Sequence, residues 1–335
     1  MVTIKDVAKE AGVAISTVSN VLNGVDVVTE PTRQKVLRAV EKLGYVPNMS
    51  AKSLKNSKNR TIGLFLRSIQ GDYYRVLMQA IHLECKERNY MLNIYVSNVN
   101  TSEEVYGMIL SSCVEGAIVL NENLEEEHLS RLEKEQIPIV FFDREYSSEH
   151  ISSIIIDDRN GARAAVEYLV GQGHKRIAFI HGAESHDNTL RFENYLSVLR
   201  EKGLPYEKKW IGYGEFGRLG ARDELLRILE ECGGEEEWPD AVFCANDDMA
   251  FGCIDACVEK GIQVPEQISV IGYDDCAMAK YFRPSLTTIR TPIEELGKQG
   301  IAELFRLMDK KEMSGGVVKA LQPQLIVRES SCKKE

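Results

Sequence analysis

The 335-residue sequence has no run of about 18 apolar residues, so it carries no mark of a membrane-spanning helix. Its opening stretch, MVTIKDVAKEAG, lacks the apolar centre of a secretory signal, and the expected compartment is the cytosol. The eight cysteines (Cys85, Cys113, Cys232, Cys244, Cys253, Cys257, Cys276 and Cys332) form no CxxC pair and no Cys/His group at zinc-ligand spacing. They are read as reduced thiols, with Cys253 and Cys257 as small buried hydrophobes one helical turn apart. Catalytic signatures are missing as well. There is no GxxxxGK[ST] loop, no GxSxG elbow and no HExxH among the six histidines, so no enzyme, cofactor or metal is expected. Gly212, Gly214 and Gly217 do spell GxGxxG, but late in the chain rather than at a first strand-to-helix turn. Positive charge is also short overall: 41 Lys and Arg against 51 Asp and Glu give −10, which argues at first against nucleic acid.

That average conceals an asymmetry. Residues 1–60 hold ten Lys and Arg against five Asp and Glu, a charge of +5, and leave −15 for the rest. A basic segment on an acidic body is the pattern of a small nucleic-acid module joined to a different domain. The local signals agree. Thr3 stands as N-cap before Ile4–Ala11 with Asp6 as the partner of a capping box, and Gly12 ends that helix. A second helix is expected over 15–22, closed by Asn23 and Gly24. A third starts at the Thr29 cap with Pro31 in its first turn, and places Val36, Leu37, Val40 and Leu43 on its apolar side. The polar stretch Pro47–Lys58 reads as a linker able to form a helix of about two turns, too short to persist alone in water.

From Thr61 the texture changes to apolar strands alternating with amphipathic helices: TIGLFL, MLNIYVS, GAIVL, IPIVFFD, SSIIID, RIAFIHG, AVFCAND and ISVIGYDD. Helices are expected between them, among others over 124–136, 161–171 and 189–202. The fold class that follows is a small all-α headpiece plus an α/β core of two doubly wound parallel-sheet lobes facing a cleft. Its expected divisions are a headpiece over 1–46, a linker over 47–60 and a core over 61–335. Within the core, one lobe takes about 61–160 plus 291–322, and the other about 161–290 plus 323–335.

The first two helices, with a tight turn at Gly12, make a helix-turn-helix, in which one helix braces across the backbone and the other enters the major groove. TIKDVAKEAGVAISTVSNVLNG, followed by TRQKVLRAVEKLGYVPNMSAKSLK, resembles the headpiece and hinge of the LacI/GalR family of bacterial transcription regulators. SSIIIDDRNGARAAVEYLVGQGHKRIAFI, AVFCANDDMAFG, ISVIGYDD, RPSLTTIRTPIEELG and LIVRESS extend the resemblance through the whole chain. It implies a homodimer on a palindromic operator, a core like that of periplasmic sugar-binding proteins, and an effector, expected to be a sugar, in the interlobe cleft. It also places the DNA-bound protein at the nucleoid.

By position in that family, Ile15, Ser16 and Asn20 are expected at base edges. Their chemistry suits it: Asn pairs bidentately with adenine, Ser reads several bases and Ile touches a thymine methyl. Thr17, Ser19 and Asn23 suit phosphates and Thr3 is a further expected DNA contact, while Val18, Val21 and Leu22 form the apolar side. In the linker, Leu54 is the expected minor-groove wedge, with Ala51 allowing two linker helices to pair and Lys52 and Lys55 reaching phosphates. For the effector, the resemblance implicates Tyr73, Tyr74, Asp143, Arg191, Phe216, Asn246, Asp247 and Asp274. Asn246, Asp247 and Asp274 stand at strand ends, where open α/β sheets bind ligands, and Arg191 can fork onto hydroxyls or a carboxylate. The chain departs from the family's pattern at Ala14, usually Ser; at Gly71-Asp72, usually Asn-Pro; and at Asn194, usually Gly. The last two are expected near the cleft. Three other functions stay open: a transport-type binding protein or sugar-modifying enzyme on the same core, a catabolite-control regulator with a phosphorylated carrier protein as co-effector, and a purine-type corepressor.

Overall fold

The computed structural model describes residues 2–22, 24–45, 60–97, 101–121, 124–309 and 315–334. The chain divides into two units, Met1–Asn59 and Arg60–Glu335. Ala51, Lys52, Leu54 and Lys55, with the rest of 46–59, lie outside the described residues, as does Asn23.

The first unit contains α1 (Ile4–Ala11), α2 (Ile15–Leu22) and α3 (Glu30–Leu43). The backbone N–H of Thr3 donates to Asp6 Oδ2 at 2.9 Å and its hydroxyl to the same oxygen at 2.7 Å, fixing the first turn of α1. Gly12 and Gly44 close α1 and α3 in the left-handed region, with φ of 64° and 58°, where a Cβ would be strained. Val7, Ala8, Val18, Val21, Val36 and Ala39 meet in a core of small side chains. The third helix corrects two expectations. Leu37 is 43% exposed, because it lies about 100° around the helix from Val36, and Ala39 takes a buried place instead. The Thr29 hydroxyl lies 3.1 Å from Thr32 Oγ1 and caps no backbone N–H.

The second unit holds two six-stranded sheets. Its strands are β1 (Thr61–Leu66), β2 (Met91–Val96), β3 (Gly116–Leu120), β4 (Ile139–Phe141), β5 (Ile151–Ile156) and β6 (Ile177–His181). They continue with β7 (Ile211–Tyr213), β8 (Ala241–Cys244), β9 (Ser269–Asp274), β10 (Thr287–Arg290), β11 (Val318–Leu321) and β12 (Gln324–Ile326). The first sheet runs β11-β5-β4-β3-β1-β2, all parallel; the second runs β12-β10-β9-β8-β6-β7, parallel except for β12. Every residue of β1 is buried, because helices cover both faces of the sheet and a continuous apolar run is what such a strand requires. The chain passes between the sheets three times, after β5, after β10 and between β11 and β12. Helix Ile293–Met308 thereby packs in the first lobe's core, although it follows β10 of the second.

Two helices begin earlier than their apolar spacing predicts. Asp157 accepts from the Asn160 N–H at 3.0 Å and starts a helix at Asp158; Ser185 Oγ accepts from the Asn188 N–H at 3.3 Å and starts one at His186. The GxGxxG stretch forms a strand-to-helix turn between β7 and helix Arg218–Glu231, at the sheet edge and not at the first such turn of its sheet, as expected. Its central glycine is required by packing, since a Cβ on Gly214 would lie 2.8 Å from Met249 Sδ.

The N-terminus of α2 has no side-chain cap. The Thr17 and Val18 N–H groups donate to the Ala14 carbonyl, and Ala14 itself is exposed. Ala14→Ser is expected to stabilise the headpiece by about 1 kcal/mol, measured by chemical denaturation followed by circular dichroism.

Candidate ligand cleft and nucleic-acid interface

On α2, the spacing of 15, 16, 19 and 20 puts four side chains on one face, opposite the buried Val18 and Val21. Ile15 is 45% exposed and Ser16 is exposed; Thr17, Ser19 and Asn20 are half-buried. An exposed isoleucine at the start of a short helix, followed by Ser and Asn, offers one apolar and two hydrogen-bonding groups toward a groove. Thr3 is exposed at the start of α1.

Between the two sheets lies a cleft of about 610 Å³, in the range of small-molecule sites. It opens at the carboxyl ends of the strands, where strand order reverses on either side of β1 and β6. All eight residues expected at the effector site line it. Arg191 is its most constrained cation. The side chain is buried; Nε donates to Asp158 Oδ1 at 2.8 Å, Nη1 donates to the Ala245 carbonyl at 2.6 Å, and Nη2 pairs with Asp187 Oδ2 at 3.0 Å. Its guanidinium carbon lies 3.9 Å from the centre of the Tyr273 ring. The fork expected to be open to a ligand is therefore engaged by the protein's own groups.

The other expected residues divide by what they already touch. Asn246 caps helix Asp247–Lys260 through Oδ1, which accepts from the Met249 N–H at 2.9 Å, and its Nδ2 donates to the Phe216 carbonyl at 3.2 Å. Asp247 accepts from Thr288 Oγ1 at 2.5 Å and from the Cys276 N–H at 2.7 Å. Asp143 accepts from Arg144 Nε at 3.0 Å. Phe216 packs so closely on Gly182 that a Cβ there would lie 2.1 Å from its ring. Tyr73 and Tyr74 meet edge to face at 5.5 Å. Asp274 ends β9 in the left-handed region, φ 108°, and its Oδ1 is shut off from solvent with no partner.

Two bonds cross the cleft mouth: Arg67 Nη1 donates to the Glu184 carbonyl at 2.8 Å, and the Ala277 N–H donates to Asp72 Oδ2 at 3.3 Å. Asp72 thus gives the Gly71-Asp72 departure a role, bridging the lobes. Asn194 does not share the expected location. Its amide donates to the Leu190 carbonyl one turn back at 2.9 Å, and it is no part of the cleft wall.

Asp158, Asp187, Arg144 and Glu215 also line the cleft and were missed in the sequence. Asp158 follows the end of β5 much as Asp247 follows β8, and Asp187 precedes Arg191 by one turn, so both carried a local signal.

A group resembling a catalytic relay lies outside the cleft wall. Ser102 Oγ is 2.7 Å from His128 Nδ1, and His128 Nε2 is 2.9 Å from Glu103 Oε2. Ser102 and His128 are buried, and the same Oγ accepts from the Glu125 N–H at 2.8 Å. The trio joins helices Ser102–Ser111 and Glu126–Lys134.

Residues 3–48 match the family described as bacterial regulatory proteins, lacI family, and residues 166–331 match a periplasmic binding protein-like domain. The "Probable HTH-type transcriptional repressor ExuR" of Bacillus subtilis is 34% identical over 318 residues, 93% of each chain. The chain belongs to the LacI family. It is accordingly a DNA-binding transcriptional regulator and not an enzyme. Among solved structures, the lac repressor dimer bound to operator and an anti-inducer superposes with a TM-score of 0.79 at 27% identity, covering 99% of both chains. The complex of the regulator CelR with cellobiose gives 0.72 at 28%, covering 98% of this chain and all of the other. The LacI-family architecture of helical headpiece and two parallel-sheet lobes is thus the one seen here. No helix among the described residues is long and apolar enough to cross a membrane.

Burial raises the carboxyl pKa of Asp158, Asp248 and Asp274, and brings Asp247 up to about 7. Carboxyls raised in this way bind protons on folding, so their stabilisation is full below about pH 4 and is lost as pH rises through the folded values. His181, lowered by burial to about 4, works in the opposite sense, but it is one group against four. The denaturation midpoint of the core is expected to fall between pH 5 and pH 8; a midpoint rising over that interval would show these carboxyls ionised in the fold.

Proposed function

We propose that this LacI-family member is a cytoplasmic repressor of carbohydrate-utilisation genes, binding a palindromic operator as a homodimer at the nucleoid and releasing or gripping it in response to a sugar in the interlobe cleft. The observation that carries the reading is one chain holding both an outward recognition face, Ile15, Ser16, Ser19 and Asn20, and a cleft at the carboxyl ends of two parallel sheets. The relatives support each part: the lac repressor structure is a dimer on operator, and the CelR structure holds a disaccharide. In this reading Thr3, Thr17, Ser19 and Asn23 hold phosphates, Ile15, Ser16 and Asn20 read bases, and Leu54 wedges the minor groove between Ala51, Lys52 and Lys55. The proposed divisions are the headpiece over 1–46, the hinge over 47–60 and the two-lobed core over 61–335. Because the linker helix is marginal alone, its folding couples to DNA and to the spacing of the two cores.

The second copy has a candidate seat. Strand β2 is an edge strand whose Met91, Ile94 and Val96 are exposed, with Leu83 exposed on the neighbouring helix Asp72–Glu87. Ile94→Glu is expected to shift sedimentation from dimer toward monomer; an unchanged dimer would place the interface elsewhere.

The DNA reading is tested by selecting an operator from a random duplex library with the full-length protein, then comparing variants at matched salt. Asn20→Ala is expected to cost about 1–3 kcal/mol and to relax preference at one base position in each half-site. Leu54→Ala is expected to lower specific affinity more than non-specific affinity; an unchanged ratio would remove the wedge.

A further inference from the structure

The cleft walls are unequal in charge, and the way their cations are held makes the inequality matter. Three arginines line it. Arg191 is bound by Asp158, Asp187 and the Ala245 carbonyl. Arg144 is bound by Asp143 at 3.0 Å, by the Asn121 carbonyl at 2.9 Å and by the Leu124 carbonyl. Arg67 is turned onto the Glu184 carbonyl at 2.8 Å. Ten carboxyl groups line the cleft against those three arginines. Glu184, Glu215, Asp247, Asp248 and Asp274 have no ion-pair partner among the described residues, and neither has Arg67, while Asp247 accepts from Thr288 Oγ1 and the Cys276 N–H.

Asp274 adds an observation independent of that count. Its Oδ1 faces neither solvent nor any donor, and Asp274 itself, the last residue of β9, is in the left-handed region. Burial raises the pKa of this carboxyl, so it pairs with a hydroxyl in either protonation state and with an ammonium group once ionised. A second carboxylate or a phosphate placed there would add like charge to a wall of ten carboxyl groups and three arginines, of which Arg191 and Arg144 are already paired with carboxylates.

We infer that the cleft takes a polyhydroxyl ligand carrying no negative charge, neutral or amine-bearing, and rejects sugar acids and sugar phosphates; this rests on the proposal above that the effector is a sugar. The chemistry is directional. Ring hydroxyls or an amine donate to Asp274, while Arg191 holds Asp158 and Asp187 in place and is not released to fork onto an anion.

The test is a thermal melt of the full-length protein at constant ionic strength with matched series on two scaffolds: glucose, glucosamine, glucuronate and glucose 6-phosphate, and the galactose equivalents, together with cellobiose, maltose and lactose as neutral disaccharides. The expected result is that every sugar raising the melting temperature is neutral or amine-bearing, with the acid and phosphate of the same scaffold weaker by on the order of a hundredfold. Stabilisation by a glycuronate or a sugar phosphate overturns the charge inference while leaving the sugar proposal intact. Stabilisation by none overturns the sugar proposal on which it rests. Asp187→Asn keeps the side chain's size and releases Arg191 Nη2 from its charged partner. It is expected to raise the affinity of the glycuronate relative to its neutral parent by about tenfold; an unchanged ratio would show that the engaged arginine is not what excludes anions.

Discussion

The buried pair of Arg191 and Asp158 is the contact around which the core is arranged. Asp158 opens the helix that follows the first passage between the sheets, and Arg191 belongs to the next helix of the second lobe. Their bond joins the start of that passage to the cleft floor, and Tyr273 beneath the guanidinium extends the contact to β9. Removing the arginine would leave two carboxylates without their cation beside a third that has no partner, so a truncation there tests stability and ligand response together. A charge so enclosed is costly to keep for packing alone. Its cost is consistent with a cleft in which a fixed polar frame must exist before a ligand arrives.

The two units solve different problems with different amounts of core. The headpiece closes on Val, Ala and other small side chains, enough to hold three short helices in a fixed arrangement and little more. The second lobe buries Trp210, Tyr195, Tyr273, Phe179 and Phe243 around its sheet and can carry several enclosed carboxyls without losing its fold. Charge follows the same division. The basic excess sits in the first 60 residues, and the acidic remainder supplies the carboxyl groups that line the cleft.

Much of this was readable in the residues, and where it was not the reason is physical. The buried strands announced themselves as apolar runs because both of their faces are covered. Strands β7 and β10 did not: IGY and TTIR are too short and too polar to stand out, and exist because a neighbouring strand offers them hydrogen bonds. Helix ends slipped for a related reason, since the caps at Asp157 and Ser185 extend each helix past its apolar spacing. In the site, strand-end acids such as Asp274 were legible from position. That Asp158 would occupy Arg191, 33 residues further along, was not, because a pairing at that distance is made by the tertiary fold. Leu37 shows the limit of periodicity on a small helix, where one step around the axis decides between core and solvent.

The three passages of the chain between the sheets have a consequence for how the protein is made. Strands β11 and β12, each an outermost strand of its sheet, come from adjacent stretches near the C-terminus, and helix Ile293–Met308 fills the first lobe from the same late region. Neither lobe can be finished on the ribosome until nearly the whole message has been read, whereas the headpiece is complete after its first few dozen codons. Each new molecule therefore acquires its DNA-reading part well before the part that governs it, and a chain that stops short of Val318 would have that reading part while both sheets lacked an edge strand.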